Sequence, residues 1–230
     1  MTSPQSTLPI PESEPARIAA LRRYAILDTT PEVAFDDITR LASFVCGTPI
    51  AAMSLVDSER QWFKSKVGLA ADQTSREIAF CAHAILGDEV FVVEDASEDP
   101  RFVSNPLVLG EPHIRFYAGA PLITSDGLKL GTLCAIDPKP HRLTESQSTA
   151  LVALARLVVN EMELRRVSKE LAQAAAALNT LHGLLPICAH CKGIRNDQGY
   201  WQRVEEYLHD HADVTFTHGI CPDCVRRYFP

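Results

Sequence analysis

Leucine recurs at every seventh position in the second half of the chain, and this heptad constrains the fold more than any other feature. The leucines are Leu157, Leu164, Leu171, Leu178 and Leu185, and the residues three positions after the first four are Asn160, Val167, Ala174 and Leu181. Apolar residues at alternating spacings of three and four form the seam of a coiled coil. The sequence therefore predicts one long helix over residues 144–184.

Both ends of this helix carry boundary signals. Thr144 stands three residues before Gln147, which is the spacing of a capping box. Gly183 and Pro186 stop helices and follow the last turns. We expect the helix to begin at about Thr144 and to end at about residue 182.

The predicted helix is too long for one small domain to cover, since it would span roughly 58 Å at about 1.5 Å per residue. We predict a parallel homodimer in which two of these helices form a coiled coil, with the polar Asn160 helping to fix the register. The alternative is a single amphipathic helix that lies on its own domain.

Four of the seven cysteines form two closely spaced pairs in the segment 185–230. The pairs are Cys188 with Cys191 and Cys221 with Cys224. Each pair can bind one side of a tetrahedral Zn²⁺ ion, and a structural metal would stabilise a segment that is too short for a core of its own. His190 and His218 are possible substitute ligands. The alternative is two redox dithiols without a metal.

Composition limits the classes of partner. The chain has 22 Lys and Arg against 29 Asp and Glu, a net charge of −7, which is poorly suited to binding the phosphates of a nucleic acid. We see no apolar stretch long enough to span a bilayer and no secretory signal, so we expect no membrane partner. The odd number of cysteines and their uneven placement favour a reducing compartment, which predicts a cytoplasmic protein.

The front of the chain predicts an α+β domain. Residues 1–15 are polar and proline-rich and predict a disordered leader. Over residues 16–143, two amphipathic helical segments come first. Short apolar runs joined by turns follow, such as the hairpin around Ser125-Asp126-Gly127. This order predicts an antiparallel sheet with helices packed on one face.

Several motifs of this front region resemble the GAF domains of bacterial signalling proteins. They are Pro31-Glu32 with Phe35-Asp36, Asp57 through Trp62-Phe63-Lys64, Arg76 through Phe80-Cys81, Asp99-Pro100-Arg101-Phe102, Asn105-Pro106, the run from Arg115 to Leu122, and Gly131-Thr132-Leu133-Cys134 with Asp137. The resemblance implies a sheet of five or six strands, a small-molecule pocket under the long loops and dimerisation through the terminal helices. It covers residues 17–160.

The resemblance also makes Cys81 and His83 candidate pocket residues, because a cysteine can attach a bilin and a histidine can ligate haem in that family. Ala82 separates them here, whereas the bilin-type pattern usually has the histidine directly after the cysteine. The alternative is that both are core residues. Cys134 is a further candidate pocket residue, and a core position is the alternative for it as well.

Arg101, Arg115 and Tyr117 lie near apolar strands or at the rim of the predicted loops, where they could hold an anionic ligand. Alternatively, Arg101 pairs with Asp95 or Asp99 and fixes the loop. The central signature of cyclic-nucleotide GAF domains is not visible.

These observations favour a signal-transduction sensor. A GAF domain would bind a small ligand, and a dimeric helix would relay its state to a zinc-stabilised module that docks a downstream signalling protein. No kinase or cyclase signature is visible. One alternative is a GAF-type thiol oxidoreductase similar to free methionine sulfoxide reductase, with cysteines as nucleophile and resolving group. Another is a structural adaptor with no ligand.

Overall fold

The computed structural model describes residues 10–182, 186–196, 198–211 and 215–229, with side chains of the long helix described up to residue 176. The chain divides into two compact units, Met1–Ser168 and Lys169–Pro230. No helix among the described residues is long and apolar enough to cross a membrane.

In the first unit two helices come first, strands follow and the long helix comes last, as predicted. The helices are α1 Glu14–Arg23, α2 Val33–Cys46, α3 Phe80–Ala84, α4 Pro106–Leu109, α5 Glu145–His182, α6 Val204–His211 and α7 Pro222–Tyr228. The strands are β1 Ile50–Val56, β2 Arg60–Val67, β3 Gln73–Ser75, β4 Phe91–Val93, β5 Phe116–Ile123, β6 Lys129–Asp137, β7 Ile194–Arg195 and β8 Trp201–Gln202. The first six strands form one antiparallel sheet in the order β3-β2-β1-β6-β5-β4.

Both faces of this sheet are covered, and β1 is buried along its whole length. On one face α1, α2 and the first half of α5 pack against residues such as Met53 and Leu133. On the other face α3 and the segment 102–114 pack against Ala52, Phe63 and Ile136. The prediction that the helices share one face is therefore right for the three longest helices of the first unit and wrong for α3 and α4, which cover the opposite face.

The first helix begins inside the segment that was predicted as a disordered leader, residues 1–15. Residues 1–9 lie outside the described part of the chain, but α1 begins at Glu14, inside the predicted leader. Pro15 is compatible with this start because the first turn of a helix needs no partner for its N–H groups. Glu14 also forms an ion pair with Arg17, which anchors the first turn.

The capping box that opens α5 is confirmed. The backbone N–H of Thr144 donates to Oε1 of Gln147 at 3.0 Å, and the backbone N–H of Gln147 donates to Oγ1 of Thr144 at 3.3 Å. These reciprocal bonds satisfy donors that a helix start otherwise leaves without partners.

Helix α5 has two apolar faces. One face packs into the first unit through Leu151, Ala155, Val158 and Met162. The heptad positions lie elsewhere on the helix, because Leu157, Leu164, Val167 and Leu171 are between 50% and 69% exposed. The side chains of Leu178, Leu181 and Leu185 lie outside the described residues.

Candidate functional site

The second face of the sheet contains a cavity of about 300 Å³. Its walls come from the sheet, from α3 and from the loops after β2 and α4. The lining residues are Gln61, Phe63, Gly68, Leu69, Ala70, Ala71, Thr74, Phe80, Cys81, Leu107, Glu111, Pro112, Ile114, Tyr117 and Ile136. A cavity of this volume lies at the small end of ligand sites in proteins.

Strand alternation explains why β2 contributes to the cavity. Gln61 and Phe63 face the cavity, whereas Trp62 between them packs into the core on the helical side of the sheet. The Oε1 atom of Gln61 is buried and has no hydrogen-bond partner among the residues that the structure describes, and the same holds for Oγ1 of Thr74 on the neighbouring β3. Buried polar atoms without a partner are unusual in folded proteins, so these two mark a place where a polar ligand atom would be stabilised.

A hydrogen-bonded cysteine forms one wall of the cavity. Sγ of Cys81 accepts hydrogen bonds from Oγ1 of Thr132 at 3.0 Å and from the Tyr117 hydroxyl at 3.2 Å. Gly119 makes room for this phenol, because a Cβ atom at position 119 would lie only 2.3 Å from the Tyr117 hydroxyl oxygen. The Ser54 hydroxyl also faces the Cys81 sulfur.

The two buried thiols beside the cavity differ in acidity. Burial raises the pKa of Cys81, but hydrogen bonds from Cys134, Ser54, Thr132 and Tyr117 to its sulfur outweigh burial and lower the pKa to about 7. The pKa of Cys134 is raised, first because its thiol hydrogen-bonds to Cys81 and then because it is buried. Of the pair, Cys81 is therefore the thiol that ionises first.

Of the six candidate pocket residues, the cavity is lined by Cys81 and Tyr117. Cys134 lies behind Cys81 on β6, and its thiol is 3.4 Å from the carbonyl oxygen of Ala52. His83 lies outside the cavity lining and packs edge-on against the ring of Phe102, at 4.9 Å between ring centroids. Burial lowers the pKa of His83, so it is neutral at physiological pH.

The two candidate arginines bind protein groups. Arg101 forms a two-pronged ion pair with Asp99, at 2.9 and 2.5 Å, which is the loop-fixing alternative considered above. Arg115 donates from Nη1 to the carbonyl oxygens of Val108 and Ile114, both at 3.0 Å. Among the described residues that line the cavity, none is a lysine or an arginine. The wall therefore favours a neutral molecule over an anion.

Sequence reasoning missed Gln61, Thr74 and the loop residues of the cavity. The alternation of β2 around Trp62 contained a signal for Gln61, because a polar residue stood on the same face as Phe63. Thr74 carried no such signal, because β3 has three residues and forms only by pairing with β2.

The cysteine pairs of the second unit form sulfur-centred turns. The pKa of Cys188 is lowered chiefly by a hydrogen bond from the backbone N–H of Cys191, and the pKa of Cys221 is lowered chiefly by one from that of Cys224, at 3.5 Å. N–H donors to the first sulfur favour thiolates, the form that binds Zn²⁺. In the described part of the chain, however, no three His, Cys, Asp or Glu side chains lie close enough together to hold a metal.

Comparison with known proteins yields a family, a relative in sequence and solved structures of the same fold. A family model described as the GAF domain matches residues 30–162. A cyclic di-GMP phosphodiesterase from Pseudomonas aeruginosa is 44% identical over 177 residues, which is 76% of this chain and 30% of that protein. The chain thus spans less than a third of the length of this relative.

Two solved structures share the fold of the first unit. The GAF domain of a phosphoenolpyruvate-protein phosphotransferase from Coxiella burnetii has a TM-score of 0.52 at 18% identity, covering 67% of this chain and 96% of that one. The GAF domain of the corresponding Acinetobacter protein has a TM-score of 0.50 at 15% identity, with coverages of 69% and 97%. At these identities the likeness shows the fold alone.

Proposed function

This chain belongs to the GAF domain family, and from that premise we propose that it is a cytoplasmic sensory protein whose cavity binds a small neutral ligand. Ligand binding would bias α5, and the segment that follows would dock a downstream signalling protein. The observation that carries the proposal is the cavity of about 300 Å³, which has an apolar wall and the partnerless polar atoms of Gln61 and Thr74.

The Pseudomonas relative supports a place in bacterial signalling. This relative is a cyclic di-GMP phosphodiesterase, and an alignment of 177 residues in a chain of 230 must overlap the GAF match. We therefore propose a regulatory role for the shared region. An anionic nucleotide is a poor candidate for the cavity, because the described lining offers it no cation and contains the carboxylate of Glu111.

Strand β6 provides a short physical path from the cavity to α5. Ile136 faces the cavity, whereas Leu133 and Ala135 face the core that contains Leu151 and Ala155 of α5. Packed side chains transmit displacement because the interior has few voids. A ligand that favours one cavity shape would shift α5 by its differential affinity for the two shapes.

A second path runs through charged groups. Lys64 of β2 has a fully buried side chain and donates to Oε1 of Glu32 at 2.6 Å. Arg165 of α5 donates to the same oxygen at 2.9 Å. Strand β2 also contributes Gln61 and Phe63 to the cavity. A displacement of the cavity wall would therefore move Lys64 and Glu32, and with them Arg165 of α5.

We further propose that α5 pairs with a second copy of the chain. The exposed stripe of Leu157, Leu164, Val167 and Leu171 supports this, because a contiguous apolar stripe on a long helix marks an interaction surface. Asn160 is also exposed on this stripe.

For the second unit we propose a structural Zn²⁺ held by Cys188, Cys191, Cys221 and Cys224, with His190 and His218 as possible substitutes. The backbone donors to Cys188 and Cys221 support this assignment. The metal would supply a cross-link between the two halves of a small fold.

A thiol oxidoreductase is the second candidate function, because Cys81 lines the cavity and Cys134 lies behind it, next to its sulfur. Free methionine sulfoxide carries a carboxylate at neutral pH, and the described lining offers no basic residue for it. Turnover of free methionine sulfoxide with a thiol donor would favour this second function over the sensor.

A fragment screen with matched variants tests the sensor. Leu107→Trp would place an indole in the cavity, whereas Leu109→Trp adds the same ring at a position of the same helix that is 67% exposed. We expect neutral fragments to bind the wild type and Leu109→Trp but not Leu107→Trp, as measured by ligand-observed NMR. Fragment binding that is equal in Leu107→Trp and the wild type, or no binding to any of the proteins, would favour the structural adaptor with no ligand.

A further inference from the structure

Two buried cysteines at the cavity are not explained by ligand binding alone. Cys81 on α3 and Cys134 on β6 are both at most 1% exposed, and the lining of the cavity includes only Cys81 of the two. A reagent from solution would therefore reach Cys81 first, and through the cavity.

The surroundings of the Cys81 sulfur favour a thiolate. The hydroxyls of Thr132 and Tyr117 both donate to it, which offsets the loss of water around a buried anion. The titratable groups that face this sulfur are Tyr117 of β5 and Cys134 of β6, and burial raises the pKa of the Tyr117 phenol well above its usual range, so that it remains a donor. Glu111 is the acid on the cavity wall.

Cys134 retains its proton and has two acceptors within reach. These are the carbonyl oxygen of Ala52 at 3.4 Å and the sulfur of Cys81. One thiol is thus poised as a nucleophile, and the other is a proton-bearing neighbour.

The cavity selects what can reach this pair. Its wall is mostly apolar, and no lysine or arginine occurs among its described lining residues, so a charged reagent would lose hydration without compensation. A small neutral molecule with a polar group suits both the wall and the partnerless oxygens of Gln61 and Thr74.

We propose that Cys81 is a redox-sensing site that a small neutral hydroperoxide oxidises, with Cys134 as the resolving thiol. The inference rests on the proposed function and names the chemical class of the signal.

The Cys81 thiolate attacks the terminal oxygen of ROOH, the O–O bond breaks, and RO⁻ leaves and takes up a proton to become ROH. The sulfur of Cys134 then attacks the resulting Cys81 sulfenic acid, forming the S–S bond, while the hydroxyl leaves with the proton of Cys134 as water. Two thiols are oxidised and one peroxide is reduced, which gives a disulfide, ROH and H₂O.

The product would connect the cavity wall to the element that faces α5. A Cys81–Cys134 disulfide would tie α3 to β6, and β6 places Leu133 and Ala135 in the core that contains Leu151 of α5. A reversible ligand shifts the population of cavity shapes, whereas the disulfide would fix the cavity wall in one of them.

The test treats the full-length protein with one equivalent of tert-butyl hydroperoxide and maps cysteines by non-reducing digestion and mass spectrometry. We expect a peptide that links Cys81 to Cys134 in the wild type. In Cys134→Ser we expect Cys81 to accumulate as a sulfenic acid that a dimedone probe traps. Cys46→Ser is the matched control, because Cys46 is equally buried but lies on the helical side of the sheet, where burial raises its pKa to about 11. The control should retain the Cys81–Cys134 link.

Two further measurements test whether the hydrogen-bond donors and the cavity wall control the oxidation of Cys81. Tyr117→Phe should shift the pH of half-maximal oxidation of Cys81 upward by roughly one unit, because one donor to the thiolate is lost. A carboxylate-bearing hydroperoxide should oxidise Cys81 roughly tenfold more slowly than the neutral one. Circular dichroism confirms that each variant is folded.

An unmodified Cys81 in folded wild type would overturn the proposal, as would oxidation of Cys46 at the same rate or equal rates with charged and neutral peroxides. Failure of this proposal can be distinguished from failure of the sensor. Wild-type protein that is kept reduced should still bind neutral fragments if the cavity is a ligand site, even when no disulfide forms on treatment with the peroxide.

Discussion

Glu14 shows how one carboxylate holds the amino-terminal helix to the sheet. It forms ion pairs with Arg17 at 2.7 Å and with Arg76 at 2.5 Å, and both arginines are at least 95% buried. Burial raises the pKa of Glu14, but the hydrogen bonds from the two arginines outweigh it and lower the pKa to about 2. A carboxyl whose pKa is depressed in the folded state stabilises the fold above its unfolded pKa, and this stabilisation is lost as the pH falls toward 2.

Glu14→Gln should lower the free energy of unfolding at pH 7 by about 2–4 kcal/mol, because it leaves two buried guanidinium groups without their anion. The difference from wild type should shrink between pH 5 and pH 2, since the wild type then loses the same charge. Urea unfolding at several pH values measures this. Asp37→Asn is the control, because its pair with Arg40 is about 60% exposed and should change stability by less than about 1 kcal/mol. A Glu14→Gln effect that does not vary with pH would contradict the account.

Single residues also show where sequence reasoning stops. It identified Arg101 and Arg115 as candidate residues for an anionic ligand, but a residue type does not reveal its partner. Arg101 pairs with Asp99, whereas Arg115 binds carbonyl oxygens that only the folded loop places within reach. Gln61 was missed because its role depends on the cavity, which forms from segments far apart in the chain.

Helix α5 is the element that sequence patterns describe best. Its start, its capping box and its length follow from local signals, and its heptad positions are distinct from the face that packs into the GAF domain. Very short elements were less predictable. Trp201–Gln202 is a strand paired with Ile194–Arg195, and the helix that follows begins at Val204. A two-residue strand has no period of its own, and only its partner defines it.

Substitutions on the two faces of α5 should have separable effects. Leu164→Glu with Leu171→Glu should shift the proposed dimer toward monomer, because each would place a charge in an apolar seam. Leu151→Ala should instead lower the free energy of unfolding by about 2–5 kcal/mol, because it leaves a cavity in the core. Light scattering and urea unfolding measure the two effects. A wild type that is monomeric at micromolar concentration would contradict the pairing.

The cysteine pairs of the second unit give a prediction at the same scale. Protein purified without chelators should contain about one Zn²⁺ per chain, and Cys188→Ala or Cys224→Ala should release it, because four ligands are needed for a closed tetrahedral site. Cys46→Ala should retain the metal, since Cys46 lies in the core of the GAF domain. Elemental analysis that finds no zinc in the wild type would contradict the assignment.

At the scale of the whole molecule, the GAF sheet separates a cavity from the base of a long helix. Strand β6 has side chains on both faces of the sheet, toward the cavity and toward α5. Glu32 forms ion pairs with Lys64 of β2 and with Arg165 of α5. Sequence motifs were sufficient to identify this fold, because hairpins and helix boundaries are local. They did not define the chemistry of the cavity, because that depends on which side chains remain without partners after the chain has packed.

Hydrogen exchange measured by mass spectrometry tests the relay most directly. Peptides from wild type, Leu107→Trp and Leu109→Trp are compared, so that the cavity is filled in one variant and left open in its control. The account predicts that Leu107→Trp alone changes exchange in β6 and in the first half of α5, in addition to the cavity wall. Changes that remain confined to the cavity wall, with α5 identical in all three proteins, would contradict the claim that the cavity controls the helix.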